Sequence, residues 1–331
     1  MVPPDRKNFP TEAEYQKEVN RLTEEALRTS MERTYFPPNG TFKEYEAVCV
    51  LLEDPDSRIH TAAQEKLRSY GPAVCPVIRA ELQTHEHLSE PAALVLVADV
   101  LHDFQRRALQ DLIAMVRHSS ETGQDLPLEE MFLALSRFGY PETDAQDVRV
   151  LLDDIALRVH ALFMKSQQHN ELGLLLSMNQ AFFEEFHFGG TDDEDYHNPT
   201  NTYAHTLIRQ RTGIPISLSV LYLLVAERAD LNVVGVGMPA HFVVYHPELN
   251  VFIDSFNKGS FLSQEDCKRF IQGAGFSFEP SMLEKASNTA ILLRMIRNLI
   301  FAYTKRNQEW EVEALHELSA AILEAMNQEE E

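Results

Sequence analysis

One stretch of the sequence, residues 211–226, constrains the fold more than any other. In this stretch a helix-breaking residue is followed by a helix that has no polar face. Gly213 supplies the break, and Pro215 suits the first turn of a helix because its φ is fixed and its missing N–H would have no partner there. From residue 216 to residue 226 almost every position is apolar. A helix that is apolar on all sides is buried. The sequence therefore predicts a buried helix that starts at this proline.

Two serines, Ser217 and Ser219, interrupt the apolar run. Ser217 lies close to the predicted helix start, where free N–H groups and the helix dipole stabilise negative charge. A nucleophile with an oxyanion site would sit at such a position. Serine near a helix start also commonly caps the helix or bonds back to its own turn, and the local sequence alone favours this second interpretation.

A histidine and an aspartate are predicted to face each other in the following segment. Strands are predicted over residues 233–237, 241–245 and 251–255. A four-residue loop over 246–249 would pair Tyr245 with Asn250, and counting back then pairs His241 with Asp254. Directly opposed residues have Cβ atoms about 4.5–5.5 Å apart, so the imidazole and the carboxylate can share a hydrogen bond. That bond fixes the tautomer of the ring and raises its basicity.

The alternating apolar residues indicate that both faces of this hairpin are buried, and a buried histidine and aspartate need a partner. The pair of His241 and Asp254 therefore serves either a function or the structure, and the hairpin alone favours neither. His241 and His246 as zinc ligands form a third interpretation, which lacks a nearby third ligand. The acidic stretch 192–195 lacks the glycine and the distal glutamate of a calcium loop and is predicted to be a solvated loop.

Charge and cysteine content exclude several classes of protein. The formal net charge is −22 at pH 7, and a field of that sign repels DNA and RNA, so no nucleic-acid partner is expected. Cys49, Cys75 and Cys267 form no Cys-x-x-Cys pair, which argues against a disulfide framework or a structural zinc site. We expect reduced, structural thiols, and neither a metal nor another cofactor.

Hydropathy and the start of the chain predict a cytoplasmic protein. No apolar run approaches the ~18 residues that a membrane helix needs, so no membrane partner is expected. Residues 1–10 are polar and contain two adjacent prolines, unlike a secretory signal.

The 331 residues are enough for two or three domains. Residues 1–40 are predicted to be an N-terminal arm with one charged helix. Residues 41–123 are predicted to be a HEAT-like helical region, because one helix pair is clear there and a helix pair cannot bury its apolar face alone. A second pair over residues 88–118 is left open. A boundary at residues 123–125 then separates a domain over 124–285 from what precedes it, and helices follow over 286–331.

The motifs of residues 124–327 resemble the SirB1-like branch of the transglutaminase-like superfamily and the corresponding region of an animal F-box protein. The resemblance rests on Arg211-x-Gly-Ile-Pro-Ile-Ser-Leu-Ser-Val-Leu-Tyr, Pro239-Ala-His-Phe, Asp254-Ser-Phe-Asn and Leu262-Ser-x-Glu-Asp-Cys267. It continues into Ala286-Ser-Asn-x-x-Ile-Leu-Leu-Arg-Met-Ile-x-Asn-Leu299. It implies an α+β fold that is predominantly helical, with a transglutaminase-like (papain-like) core, a small antiparallel sheet and flanking helical repeats. It also implies that residues 286–331 form a TPR-like tail.

The resemblance assigns His241 and Asp254 to the histidine and aspartate of the family, but the cysteine nucleophile has no counterpart in this segment. Ser217 and Ser219 are the available side chains, and they point about 200° apart on a helix, so at most one of them faces His241. Ser217 fits better because it is nearer the free N–H groups. Ala240 also stands where the family commonly has glycine.

Three functions are consistent with these residues. The first is a pseudoenzyme that recognises a protein or peptide in the former active-site cleft. The second is a serine-dependent acyl hydrolase or amidase with Ser217 as nucleophile, His241 as base and Asp254 as the residue that orients the base. The third is a helical scaffold for protein interactions, in which the cleft has no role.

Overall fold

The computed structural model describes residues 45–192 and 194–327, and within them the protein is predominantly helical with one small antiparallel sheet. The helices are α1 (Tyr45–Leu52), α2 (Ser57–Ser69), α3 (Cys75–Thr84), α4 (Pro91–Thr122), α5 (Leu128–Gly139), α6 (Ala145–Lys165), α7 (Glu171–Asn179), α8 (Ala204–Gln210), α9 (Pro215–Arg228), α10 (Gln264–Gly273), α11 (Asn288–Lys305) and α12 (Glu309–Asn327). The strands are β1 (Gly189–Gly190), β2 (Thr212–Gly213), β3 (Val234–Val236), β4 (Val243–His246), β5 (Val251–Asp254) and β6 (Ser260–Leu262). The helix predicted in the N-terminal arm lies outside the described residues.

The buried central helix is confirmed as α9. It begins at Pro215, and every residue from there to Ala226 is buried except Leu223, which is partly exposed. Its side chains join the largest apolar cluster of the described chain, to which α5, α6, α11 and α12 also contribute. Because α9 has no polar face, it is enclosed on all sides, as its composition requires.

The long helix α4 replaces the second helix pair that was left open for residues 88–118, so that interpretation is wrong. No glycine or proline follows Pro91 before Gly123, where the chain turns into the left-handed region at φ 63°. Without a breaker, the helix continues for 32 residues. Its first half packs with α1–α3, and its second half packs into the cluster around α9.

The four-stranded sheet has the order β3-β4-β5-β6, and all its neighbours are antiparallel. Tyr245 lies opposite Phe252 and His246 opposite Val251, so the predicted pairing of Tyr245 with Asn250 is wrong by two residues. The error comes from the turn: His246 stays in the strand, and Asn250 closes the loop in the left-handed region at φ 50°. A shift of two residues leaves every side chain on its predicted face.

Both faces of the hairpin are buried, as predicted. Phe242, Val244 and Ile253 join the cluster around α9. Val243 and Phe252 pack on the other face with Cys267 and Ile271 of α10. The sheet therefore separates α9 from α10.

The three cysteines are buried and form no disulfide. Burial raises the pKa of Cys49 to about 11, that of Cys75 to about 12 and that of Cys267 to about 11. Acidic neighbours raise the pKa of Cys267 further, so its thiol stays protonated and is a poor nucleophile.

Candidate functional site

His241 and Asp254 form a direct hydrogen bond. Nε2 of His241 lies 2.9 Å from Oδ2 of Asp254, and both side chains are almost fully buried. His241 precedes β4 by two residues and Asp254 ends β5, so the bond runs diagonally between the strands, not between directly opposed residues. The predicted contact is present although the predicted register is wrong, because diagonal neighbours on one face are still within reach of long side chains.

The Asp254 carboxylate is held in its ionised form by the chain that follows it. Its Oδ1 accepts the N–H of Phe256 at 3.1 Å and the N–H of Asn257 at 3.2 Å, and its Oδ2 accepts the Asn257 amide at 2.8 Å. Burial alone would raise the pKa of this carboxyl, but the bonds from His241 and Asn257 hold it below the ordinary value.

An ionised carboxylate only accepts hydrogen bonds, so Nε2 of His241 donates to it, and in the neutral imidazole Nδ1 is then the acceptor. Nδ1 makes no hydrogen bond with any residue of the described chain. The ring is therefore oriented as a base would be, with one nitrogen fixed by a carboxylate and the other available.

A tight turn presents His241 at the end of the sheet. Ala240 adopts the left-handed region at φ 61°, and the His241 N–H donates to the Met238 carbonyl at 3.2 Å. Glycine, which the resembling family commonly has here, adopts this conformation without steric cost. Arg294 of α11 fixes the turn from outside, since its Nη2 donates to the His241 carbonyl at 2.8 Å.

Two aromatic rings flank the imidazole. The ring centroid of Phe270 lies 5.0 Å from that of His241, and the centroid of Phe256 lies 6.4 Å away with its ring perpendicular. Phe270 is 42% exposed, so it borders the site on the solvent side. Phe256 packs on Gly190, where a Cβ atom would come within 2.7 Å of the phenyl ring.

Ser217 is engaged elsewhere. Its Oγ donates to the Asn201 carbonyl at 2.6 Å and accepts the Ile214 N–H at 3.2 Å, and the side chain is fully buried. His241 is not among its partners. The cause lies in the sheet: Asp254 shares a face of β5 with Phe252, which packs with α10, whereas α9 packs on the opposite face.

Ser219 is also fully buried, and its Oγ has no hydrogen-bond partner within the described residues. The structure thus brings His241 and Asp254 together and does not bring either serine into hydrogen-bond contact with them.

His246, the second histidine of the zinc interpretation, contacts Leu249 and Glu171. Nδ1 of His246 accepts the Leu249 N–H at 3.4 Å, and its Nε2 lies 3.3 Å from a carboxylate oxygen of Glu171. Across residues 45–192 and 194–327, no group of three or more His, Cys, Asp or Glu side chains could hold a metal ion. No helix of the same residues is long and apolar enough to cross a membrane.

Several residues of the site were missed by sequence reasoning. Phe256 and Asn257 belong to the Asp-Ser-Phe-Asn motif, which singled them out without giving them a role. Arg294 belongs to the motif that ends at Leu299, which also gave it no role, and Phe270 lies outside the motifs. Both lie on helices that follow the sheet, and only their packing places them at His241. No sequence pattern specifies such contacts.

This site falls inside a segment that is similar to known proteins. Residues 146–297 match the family model of the transglutaminase-like superfamily. The matched segment extends from α6 into α11 and includes His241, Asp254 and Arg294.

Relatives of the transglutaminase-like domain occur in bacteria and animals. The UPF0162 protein of Xylella fastidiosa strain 9a5c is 29% identical over 214 residues, which cover 60% of this chain and 74% of that protein. F-box only protein 21 of Homo sapiens is 31% identical over 137 residues, or 38% of this chain and 21% of that protein. No solved structure matches the chain.

Proposed function

We propose that the transglutaminase-like domain binds a protein or peptide segment at the His241–Asp254 site and does not use Ser217 as a nucleophile. The observation that carries this proposal is the engagement of the Ser217 hydroxyl with Asn201 and Ile214 at the start of α9. A serine depends on its base for activation, and this serine is bonded to backbone groups instead. Among the described residues, no hydroxyl is hydrogen-bonded to the oriented imidazole, which supports this proposal.

The finer assignments belong to the same proposal. We place the domain in the SirB1-like branch with a papain-like core and regard it as a pseudoenzyme. Residues 41–123 then form a HEAT-like region before it, and residues 286–331 form a TPR-like pair of helices after it. The aromatic border of the site supports peptide binding, because rings such as Phe270 offer a large apolar contact at a small entropic cost.

A displayed library of random peptides, selected on the full chain, tests the binding function. We expect peptides that bind the unaltered protein and lose about tenfold in affinity with Phe270→Ala, since exposed aromatic anchors carry much of such binding energy. Phe276→Ala is the matched control, because Phe276 is similarly exposed, at 49%, but lies beyond the end of α10. Equal effects of both changes, or no selected peptide, would contradict the proposal.

The serine hydrolase remains a second candidate because the His241–Asp254 bond is the one that such an enzyme needs. Ser217→Cys separates the two candidates. If Ser217 faced His241, the new thiol would have a lowered pKa and would alkylate quickly at about pH 6, and an added His241→Ala would slow it.

We expect slow alkylation of Ser217→Cys, unaffected by His241→Ala, with Ser219→Cys as the control on the other side of the helix. The native thiols contribute little background because all three are buried. Fast labelling of Ser217→Cys that depends on His241 would favour the hydrolase. Peptide binding that requires residues 41–123 but not Phe270 would favour the helical scaffold.

A further inference from the structure

Arg294 is part of the His241 site by position. It projects from α11, and its guanidinium lies between the backbone of Gly237 and the turn that carries His241. The centre of the guanidinium is 5.7 Å from the ring centroid of Phe242. Within residues 45–192 and 194–327, its one hydrogen bond is the one to the His241 carbonyl. The remaining N–H groups are available to a ligand.

No acidic side chain of the described residues neutralises this cation. Three other partly buried arginines each pair with a glutamate: Arg79 with Glu142, Arg158 with Glu185, and Arg228 with Glu129. Burial lowers the pKa of the guanidinium, and a nearby cation, Arg297, lowers it further. Buried charges are normally paired, and this chain has 51 acidic residues to supply a partner.

Neighbouring aromatic rings connect the surroundings of Arg294 with those of His241. Tyr196 lies near Arg294. Burial raises the pKa of the Tyr196 hydroxyl, and the positive charge of Arg294 counteracts part of this rise. The Tyr196 ring is 5.9 Å from that of Phe256, which in turn flanks His241. Rings on this side reduce the access of water, and a charge-assisted hydrogen bond gains strength where water is excluded.

We propose that Arg294 binds a carboxylate of the peptide held at the His241–Asp254 site, so that the site selects acidic segments. This inference rests on the proposed function. Guanidinium donors match a carboxylate with two parallel hydrogen bonds, and a carboxylate supplies the partner that the protein itself does not provide. A protein with a net charge of −22 would otherwise repel an acidic peptide, so the local cation decides the specificity.

One side of α11 extends this cationic surface away from His241. Arg294, Phe301 and Lys305 are spaced by seven and four residues, which places them on one stripe of the helix. Lys305 lies 4.6 Å from the Phe301 ring centroid, and the ring of His197 is 4.9 Å from it. The stripe is about 16 Å long, the length of about five residues of extended peptide. A second carboxylate about five residues from the first would reach Lys305.

The described acidic residues before Tyr196, namely Asp192, Glu194 and Asp195, do not pair with Arg294. The Asp195 carboxylate accepts the side-chain amide of Asn198 at 2.9 Å. Asp192 and Glu194 form no ion pair with Arg294, and neither influences its pKa.

The composition of selected peptides tests the inference. A random peptide library is selected in parallel on the unaltered chain, on Arg294→Gln and on Arg297→Gln. We expect the unaltered chain and Arg297→Gln to enrich Asp and Glu, and Arg294→Gln to lose that enrichment. Arg297 is the matched control because it is an exposed arginine one turn away on the same helix.

A second measurement leaves the protein unchanged, in case Arg294→Gln does not fold. Single Glu→Gln and Asp→Asn changes are made in a peptide selected on the unaltered chain, and binding is measured by fluorescence anisotropy. We expect one change to weaken binding by about tenfold or more, as for the loss of a charged hydrogen-bond partner. A C-terminally amidated version distinguishes a side-chain carboxylate from the peptide terminus. Arg294→Lys, which keeps the charge but not the planar donors, is expected to retain part of the preference.

The outcomes separate this inference from the proposed function. Peptides that depend on Phe270 but show no acidic preference, or an equal preference with Arg294→Gln, would overturn the role of Arg294 and leave peptide binding intact. Failure to select any peptide would overturn both. Loss of the acidic preference only with Arg297→Gln would show that the exposed arginine is the binding residue.

Discussion

Two serines of α9, only two positions apart, differ in what their hydroxyls do. Ser217 satisfies groups that the start of the helix leaves without partners, as serine often does at such positions. Ser219 is equally buried, yet its hydroxyl has no partner among the described residues. Burying a polar group without a hydrogen bond is costly, so the two residues contribute to stability with opposite sign.

We expect Ser217→Ala to lower the free energy of unfolding by about 1–2 kcal/mol, because the Asn201 carbonyl and the Ile214 N–H each lose the bond to the hydroxyl and keep only the long bond of 3.4 Å to each other. Ser219→Ala is its matched control and is expected to be neutral or to stabilise by about 1 kcal/mol. Urea unfolding followed by circular dichroism measures both changes. A larger loss for Ser219→Ala than for Ser217→Ala would contradict this assignment of the two hydroxyls.

Ala240 carries a backbone conformation that suits glycine better, at φ 61°. A left-handed conformation costs an alanine roughly 1–2 kcal/mol, and the greater freedom of glycine in the unfolded chain offsets part of the gain from replacing it. Ala240→Gly is therefore expected to stabilise the protein by about 0.5 kcal/mol in urea unfolding. Ala226→Gly, inside α9, serves as the control and should destabilise. A loss of stability with Ala240→Gly would show that the turn is not strained.

Asp254 should make stability depend on pH in the acidic range. Its pKa is lower in the folded protein, so its contribution is present above about 3.9, the pKa of an unfolded aspartate, and is lost as pH falls below that value. We expect Asp254→Asn to cost about 1–2 kcal/mol at neutral pH and progressively less on acidification. Asp111→Asn, at an exposed position of α4, is the control. A cost that stays constant down to low pH would exclude the carboxylate as its source.

At the scale of elements, local patterns predicted the helices and the faces of the hairpin, but not its register. Apolar composition was enough for α9, because burial on every side leaves one interpretation. The register depended on whether His246 belongs to the strand or to the turn. The surroundings of the buried His246 ring include the Glu171 side chain of a distant helix, which a local pattern does not reveal. Arg294 was missed for the same reason, since it lies 53 residues from the carbonyl that it binds.

The length of α4 was missed because residues 88–118 were interpreted as a second helix pair that repeats the first, although this stretch contains no helix breaker after Pro91. Its continuity leads to an element-scale prediction. Asp111→Pro is expected to cost about 3 kcal/mol or more, because proline removes a helical hydrogen bond in the interior of the helix. Asp111→Ala controls for the loss of the side chain and should cost little, since the position is exposed. Tolerance of the proline would mean that α4 is broken near its middle in solution.

At the scale of the whole molecule, α4 links two apolar clusters that the sequence assigned to separate domains. The boundary at residues 123–125 stays a prediction, but Leu112 and Val116 of α4 are buried in the cluster around α9. Asp125 also accepts the N–H of Asn288 at the start of α11. We therefore expect the described part of the chain to unfold in one transition.

Trp310 provides the measurement, because it is the chain's single tryptophan and stacks on His102 of α4 at 3.8 Å. Its fluorescence and the far-ultraviolet circular dichroism should give coincident urea transitions. Leu67→Ala, in the cluster formed with α1–α3, should lower the free energy of unfolding measured by both signals by about 2–5 kcal/mol. A tryptophan transition that Leu67→Ala leaves unmoved would support independent domains, as the sequence predicted.

The unbroken course of α4 also has a mechanical consequence. At 1.5 Å per residue its 32 residues form a rod about 48 Å long. One end is embedded among α1–α3 and the other lies against α5 and α12. Because a continuous helix and not a flexible loop joins the two ends, a force applied to the first three helices is transmitted along α4. A displacement of α1–α3 is therefore passed on to α5 and α12, which pack against the other end of the same helix.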